Sequence, residues 1–157
     1  MRKYLALAVA VVSMASTLAL GCGSEAHPRL GPALTACAAD DPVGCASACN
    51  AGDVAACDAL GVLFAEGKGV AADPARAAVL FRAACEAQHG SGCTHLGVLT
   101  ERGSGIARDA ERATELYSRG CDRGDAHGCD ALGSMFQTGR GVPKDRARAL
   151  LSFEKAC

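Results

Sequence analysis

The residues of this chain best placed to do chemistry are its ten cysteines, and they stand on a fixed ruler. Cys49, Cys85, Cys121 and Cys157 are each 36 residues apart, and Cys57, Cys93 and Cys129 repeat that step eight residues later. Thiols in such a register either oxidise in pairs or hold a metal. A structural zinc site needs closely spaced cysteines kept as thiolates, whereas an exported chain enters a compartment that oxidises them. No Cys-x-x-Cys or Cys-x-x-Cys-His occurs, so dithiol redox catalysis and covalent haem have no foothold. Disulfides are expected, with no metal and no cofactor.

The regular step pairs Cys37 with Cys45, Cys49 with Cys57, Cys85 with Cys93 and Cys121 with Cys129; Cys45 with Cys49, one helical turn apart, is the rival pairing. Cys157 has no cysteine eight residues on and is expected to be the odd, unpaired thiol, either free, joined to another chain or short of a missing partner. Ser152-Phe-Glu-Lys155 has the Ser-x-x-Lys spacing of serine β-lactam enzymes, but no Ser-Asp-Asn or Lys-Thr-Gly accompanies it. Ser152 also aligns with Leu80 and Leu116, which places it in packing; no residue is assigned a catalytic role. The four histidines, at 27, 89, 95 and 127, are scattered, and His95 stands out because the other copies carry Ala59 and Ala131 there.

The elements that hold these cysteines come into view when the copies are superposed. Cys57-Asp-Ala-Leu-Gly-Val-Leu, Cys93-Thr-His-Leu-Gly-Val-Leu and Cys129-Asp-Ala-Leu-Gly-Ser-Met align. Gly67-Lys-Gly-Val, Gly103-Ser-Gly-Ile and Gly139-Arg-Gly-Val follow, then an aspartate at 73, 109 and 145 and an aromatic at 81, 117 and 153. The repeat step is 36 residues, the length of a helix pair in a stacked array. Asp53 suits an N-cap, Leu60, Leu63 and Phe64 recur at helical steps and Gly67 ends the run, which predicts helix A near 54–66. Asp73 caps again, Pro74 suits the first helical position and Ala77, Leu80, Phe81 and Ala84 line one side, which predicts helix B near 74–86. Glycine at 61, 97 and 133 costs a helix about 1 kcal/mol, which a close crossing of helix A on helix B would explain.

On one continuous helix Cys85 and Cys93 would be roughly 12 Å apart by helical rise, while a disulfide tolerates at most about 7 Å. A turn must intervene, supplied by Gly90 and Gly92 there, by Gly52 after Cys49 and by Gly124 after Cys121. Each bridge then ties the end of one helix B to the start of the next helix A. Closing a loop of about nine residues contributes roughly 2.5 kcal/mol in the chain-entropy model.

The N-terminus reads as an export signal. Arg2 and Lys3 precede a mostly apolar run, Leu5 to Leu20, that is shorter than the roughly 20 residues needed to span a bilayer. Ala19-Leu20-Gly21-Cys22 resembles the lipobox of bacterial lipoproteins, which implies lipidation of Cys22 and a cleaved leader over 1–21. Acyl chains contribute about 0.8 kcal/mol per buried methylene to membrane attachment. Residues 22–32 then form a tether, 33–52 a shortened capping unit, and 53–88, 89–124 and 125–157 three full units, the last incomplete at its end. Without Arg2 and Lys3 there remain 14 basic against 17 acidic side chains, a net of −3, which offers no basic stripe for nucleic acid.

The Leu-Gly, Gly-x-Gly-Val and paired-cysteine elements closely resemble the Sel1-like repeat, a relative of the tetratricopeptide repeat, in its cysteine-rich Hcp-type subgroup. The resemblance covers roughly 33–157. It implies an all-α, right-handed α/α solenoid, and it also brings the subgroup's description as penicillin-binding, weak β-lactamases. Solenoids of this kind hold peptide or protein partners in the concavity lined by helix A. The residues that vary there between copies are Asp58, Thr94, His95, Glu101, Asp130 and Gln137, and they are the candidate partner-binding residues. The expected setting is the bacterial cell envelope, with a lipid anchor and a peptide or protein partner, or alternatively secretion.

Overall fold

The computed structural model describes Cys37 and residues 41–157. The leader, the lipidation site Cys22 and the tether lie outside the described residues. Among the described residues seven helices follow one another: α1 (Pro42–Asn50), α2 (Val54–Glu66), α3 (Pro74–Glu86), α4 (Gly90–Arg102), α5 (Ala110–Asp122), α6 (Ala126–Thr138) and α7 (Arg146–Ala156). No strand occurs among the described residues, and no helix there is long and apolar enough to cross a membrane.

Local sequence sets these limits. The carboxylates of Asp53, Asp73, Asp109, Asp125 and Asp145 each accept first-turn amides that would otherwise lack partners. Helices α2, α4 and α6 each stop at a left-handed glycine, Gly67, Gly103 or Gly139, whose amide returns to a carbonyl one turn back. Helix α4 departs from the pattern: His89 stands where its neighbours have aspartate and makes no side-chain cap.

Helices α2 and α3, α4 and α5, and α6 and α7 form the pairs, and each pair stacks on the next through α3 with α4 and α5 with α6. Leucines, alanines, the bridged cysteines and one aromatic per pair make the core. A Cβ built on Gly61 would lie 2.5 Å from the Phe81 ring, and Gly97 with Tyr117 and Gly133 with Phe153 repeat the arrangement at 2.7 and 2.6 Å. The mid-helix glycine is therefore the seat of the aromatic from helix B. The packing gained by a buried ring outweighs the propensity lost.

Disulfides join Cys37 to Cys45, Cys49 to Cys57, Cys85 to Cys93 and Cys121 to Cys129, with Cα separations of 4.2 to 4.6 Å. The last three sew the end of one helix to the start of the next. Two expectations need correction. Cys157 is not the odd thiol: it is disulfide-bonded, and no free cysteine exists among the described residues. The repeat register considered only partners eight residues away, and oxidation is not bound by that register. Gly90 and Gly92 do not make the turn before Cys93 but lie inside α4. The turn's positive φ falls instead on Gln88 at 68°, in register with Gly52 at 96° and Gly124 at 81°. Gly92 is small because a Cβ there would meet that of Ala84 at 2.6 Å, beside the disulfide.

Candidate functional site

Helix α4 touches both α2 and α6 along one side of the stack, and the variable positions lie on these three helices. Asp58 is only 7% exposed. Its Oδ2 accepts the Ser91 hydroxyl at 2.8 Å, and its Oδ1 takes His95 Nδ1 at 2.9 Å. His89 Nε2 stands 3.6 Å from Oδ2 and 2.9 Å from Ser91 Oγ. The protons follow from the donors available. An ionised carboxylate only accepts, so Ser91 gives its one proton to Asp58, His95 carries its proton on Nδ1, and His89 Nε2–H donates to Ser91 Oγ.

The order of those protons decides what Ser91 can do. Serine, histidine and aspartate within hydrogen-bond reach resemble a hydrolase triad, but here the imidazole donates to the hydroxyl instead of taking its proton. Ser91 is a structural link. Burial alone would push the Asp58 carboxyl up, yet the hydrogen bond and charge of His95, with Ser91 and His89 behind them, hold it below its ordinary value of 3.8. Burial likewise pushes His95 down, but Asp58, with Asp125 and Glu66 farther off, raises it above the ordinary 6.5.

Asp58 is thus a tie between the first and second pairs, not an open reader of partners. Thr94, at the same register one unit on, is 4% exposed and donates to Asp125 and to the Gly90 carbonyl. Glu101 is engaged as well, accepting the Tyr117 hydroxyl at 2.7 Å through Oε2 and pairing with Arg140 at 2.6 Å through Oε1. Burial first, and then the Glu101 bond and charge, raise the Tyr117 phenol well above its usual range. The six candidate positions therefore divide. Asp58, Thr94 and Glu101 bind their own chain, Asp130 and Gln137 are exposed, and His95 does both.

Sequence reasoning missed Ser91 and His89. A signal did exist: where Asp58 appears on helix A, imidazoles appear at the next unit's cap and second turn, and where Thr94 replaces the acid, Asp125 supplies one.

The exposed side of His95 opens on a hollow of about 210 Å³ between α2 and α4. Val62, Phe81, Val98 and Leu99 give it an apolar lining, with Glu66 and Arg102 at its exposed edge. The His95 and Phe81 rings lie 4.9 Å apart. Glu66 is neutralised by Lys68 at 2.7 Å, whereas Arg102 has no ion pair among the described residues. A larger hollow of about 490 Å³ lies between α3 and α5, where Arg82, Arg112 and Arg119 alternate with Glu86, Asp109 and Glu115. All six are exposed and solvated, so size alone does not make it the better site.

The Ser-x-x-Lys pattern does not assemble a nucleophile with its base. Ser152 is 6% exposed and donates to the Arg148 carbonyl at 2.8 Å, while the Lys155 ammonium faces Asp122 at 3.5 Å. Among the described residues no group of three or more His, Cys, Asp or Glu is arranged to hold a metal.

The Sel1 repeat family model matches residues 54–89, 90–125 and 126–157. Among solved structures, the chain is similar to a Sel1 repeat protein of Oxalobacter formigenes, at 28% identity and a TM-score of 0.67, over 74% of this chain and 49% of that one. It is also similar to cysteine-rich protein B of Helicobacter pylori, at 30% identity and a TM-score of 0.59, over 72% of this chain and 80% of that one. A protective antigen of uropathogenic Escherichia coli with the same type of repeat matches at 25% identity and a TM-score of 0.68, over 72% of this chain and 24% of that one. The chain thus spans about half the length of the Oxalobacter protein and about a quarter of the Escherichia coli antigen. No curated protein matches it.

Proposed function

The chain belongs to the Sel1 repeat family, and from that membership we propose that it is an envelope-anchored scaffold holding a segment of a partner protein against α2, α4 and α6. The observation that carries this reading is the hollow beside His95, apolar within and edged by Arg102, at the contact of α2 with α4. An apolar recess with a few polar groups at its edge is the form that peptide recognition takes on a repeat surface. Acylation of Cys22, which the Ala19-Leu20-Gly21-Cys22 sequence supports, would keep the scaffold at the membrane surface, and because a thioether and a disulfide exclude each other at one sulfur, Cys157 of the acylated protein would pair with a second chain.

Photo-crosslinking tests the surface directly. A benzophenone amino acid at Glu66, on the edge of the hollow, should trap a discrete partner in a bacterial host, whereas the same group at Val79, exposed on α3, should not. Adducts at Val79 alone, or at neither site, would overturn the surface assignment. Membrane fractionation of Cys22→Ala tests the anchor; the variant should leave the membrane pellet, and its retention there would refute lipidation.

A further inference from the structure

His95 is the one side chain that belongs both to the polar tie between the first two pairs and to the hollow of the inner face. Its Nδ1 is committed to Asp58 at 2.9 Å, and no partner among the described residues reaches Nε2. The fixed proton on Nδ1 decides what Nε2 presents. In the neutral ring Nε2 is a bare lone pair, a hydrogen-bond acceptor; in the cation it becomes an N–H donor. Resting on the scaffold reading above, we propose that this hollow inverts its hydrogen-bonding sense with pH, so that it takes an acidic segment of the partner, a carboxylate beside an aliphatic side chain, increasingly as the medium acidifies.

The surroundings favour that occupant. From α2 the ring meets Asp58, which holds the proton on Nδ1, and the more distant Glu66, whose charge Lys68 matches. From α3 it meets the Phe81 ring, and beyond α4 it feels Asp125 at the cap of α6. Across the hollow stands Arg102, without an ion pair among the described residues. When Nε2 is protonated, His95 and Arg102 therefore present two cationic donors to a ligand, beside the uncharged hydroxyl of Ser104. An aliphatic side chain would enter against Val62, Val98 and Leu99 while its neighbour's carboxylate bridged Arg102 and Nε2. Asp58 moves the inversion upward from the ordinary imidazole value of 6.5.

Two measurements decide it. Nitrogen-15 chemical shifts of His95 in the oxidised protein should report, at alkaline pH, a neutral ring protonated on Nδ1; a neutral ring protonated on Nε2 overturns the inference. Pools of acetylated, amidated hexapeptides with a fixed Leu-Glu, Leu-Gln or Leu-Lys centre are then passed over immobilised protein at about pH 5.5 and about pH 8. The Leu-Glu pool should be retained about fivefold more than the Leu-Gln pool at the lower pH, the margin typical of a charge-assisted over a neutral hydrogen bond, and less so at the higher. His95→Gln, which keeps a donor for Asp58, should abolish the pH dependence, and Arg102→Gln should lower retention of the Leu-Glu pool at both pH values. Equal retention of the pools, preference for Leu-Lys, retention of none, or an unchanged pH response in His95→Gln each overturns the inversion. The scaffold reading survives any of these if the Glu66 photo-adduct persists, and falls only with that adduct.

Discussion

At the junction of the first and second repeats a buried carboxylate, Asp58, gathers Ser91 and His95 from α4, the first helix of the next repeat, whereas at the junction of the second and third the equivalent Thr94 reaches Asp125 and a carbonyl of its own helix. The covalent and steric frame of the two is the same. Cys85–Cys93 and Cys121–Cys129 have Cα separations of 4.5 and 4.4 Å, and Gly61 and Gly97 seat Phe81 and Tyr117 alike. A stapled stack leaves the polar positions between units free to change. One junction has used that freedom to place a titrating pair against a solvent-facing hollow, and the other has a pair built on a hydroxyl.

Removing the staples tests whether the frames really are equivalent. Cys85→Ala with Cys93→Ala, and separately Cys121→Ala with Cys129→Ala, should each lower unfolding free energy by about 2–4 kcal/mol. Urea denaturation should find the two losses equal to within about 0.5 kcal/mol, since the loops have the same length. A marked inequality would mean that the polar ties and the staples are not independent.

The ties themselves should separate the junctions. Asp58→Ala strands the Ser91 hydroxyl and the His95 N–H beneath the interface and should cost about 2 kcal/mol near pH 6, while Thr94→Ala should cost about 1 kcal/mol because Asp125 keeps its bond from the Gly128 amide. Equal losses would show that the titrating pair contributes nothing beyond an ordinary hydrogen bond.

The sequence displayed whatever is local. Helices at 54–66 and 74–86 were legible to the residue because Asp53, Asp73 and Gly67 act within one turn of themselves, and the eight-residue cysteine step closes within a single turn between helices. The inner surface was legible only as a set of varying positions. Asp58, Thr94 and Glu101 read as solvent-facing because their partners, Ser91 and His95, Asp125, and Arg140, lie about one repeat away, where nothing in a helical period points. Variation between copies could not distinguish a residue that binds the next repeat from one that faces a partner. The same limit hid the pairing of Cys157, which lies off the register.

Acidity should make one junction move and leave the other still. His95 has its pKa raised on folding, so its contribution is complete below the ordinary 6.5 and disappears as pH rises through the folded value. Asp58 has its pKa lowered, so its contribution is complete above the ordinary 3.8 and is lost as pH falls through the folded value. The first junction should therefore be tightest between those two limits. The effect should stay under about 1 kcal/mol, because the His95 side chain is 38% exposed and solvent screens it. Amide hydrogen exchange, corrected for intrinsic rates, should show protection around Ser91 falling from mildly acidic to alkaline pH while protection around residue 127 stays level; parallel behaviour would remove the distinction.

The smallest expected change concerns the turns that lead into the two junctions. Gln88 occupies the left-handed conformation at φ 68° that Gly52 and Gly124 adopt at the same register, and a side chain there costs about 1 kcal/mol relative to glycine. Part of that cost is offset by the bond its Oε1 accepts from Arg123 Nε at 3.0 Å, an exposed contact between successive turns. Glycine would also loosen the unfolded chain, which works against the gain. Gln88→Gly should thus stabilise by about 0.5 kcal/mol, and Arg123→Ala should be nearly neutral in the Gln88→Gly background though not in the native one. If Gln88→Gly destabilises instead, the Gln88–Arg123 bridge is worth more than the backbone strain, and the first junction is held from its outer turn as well as from Asp58.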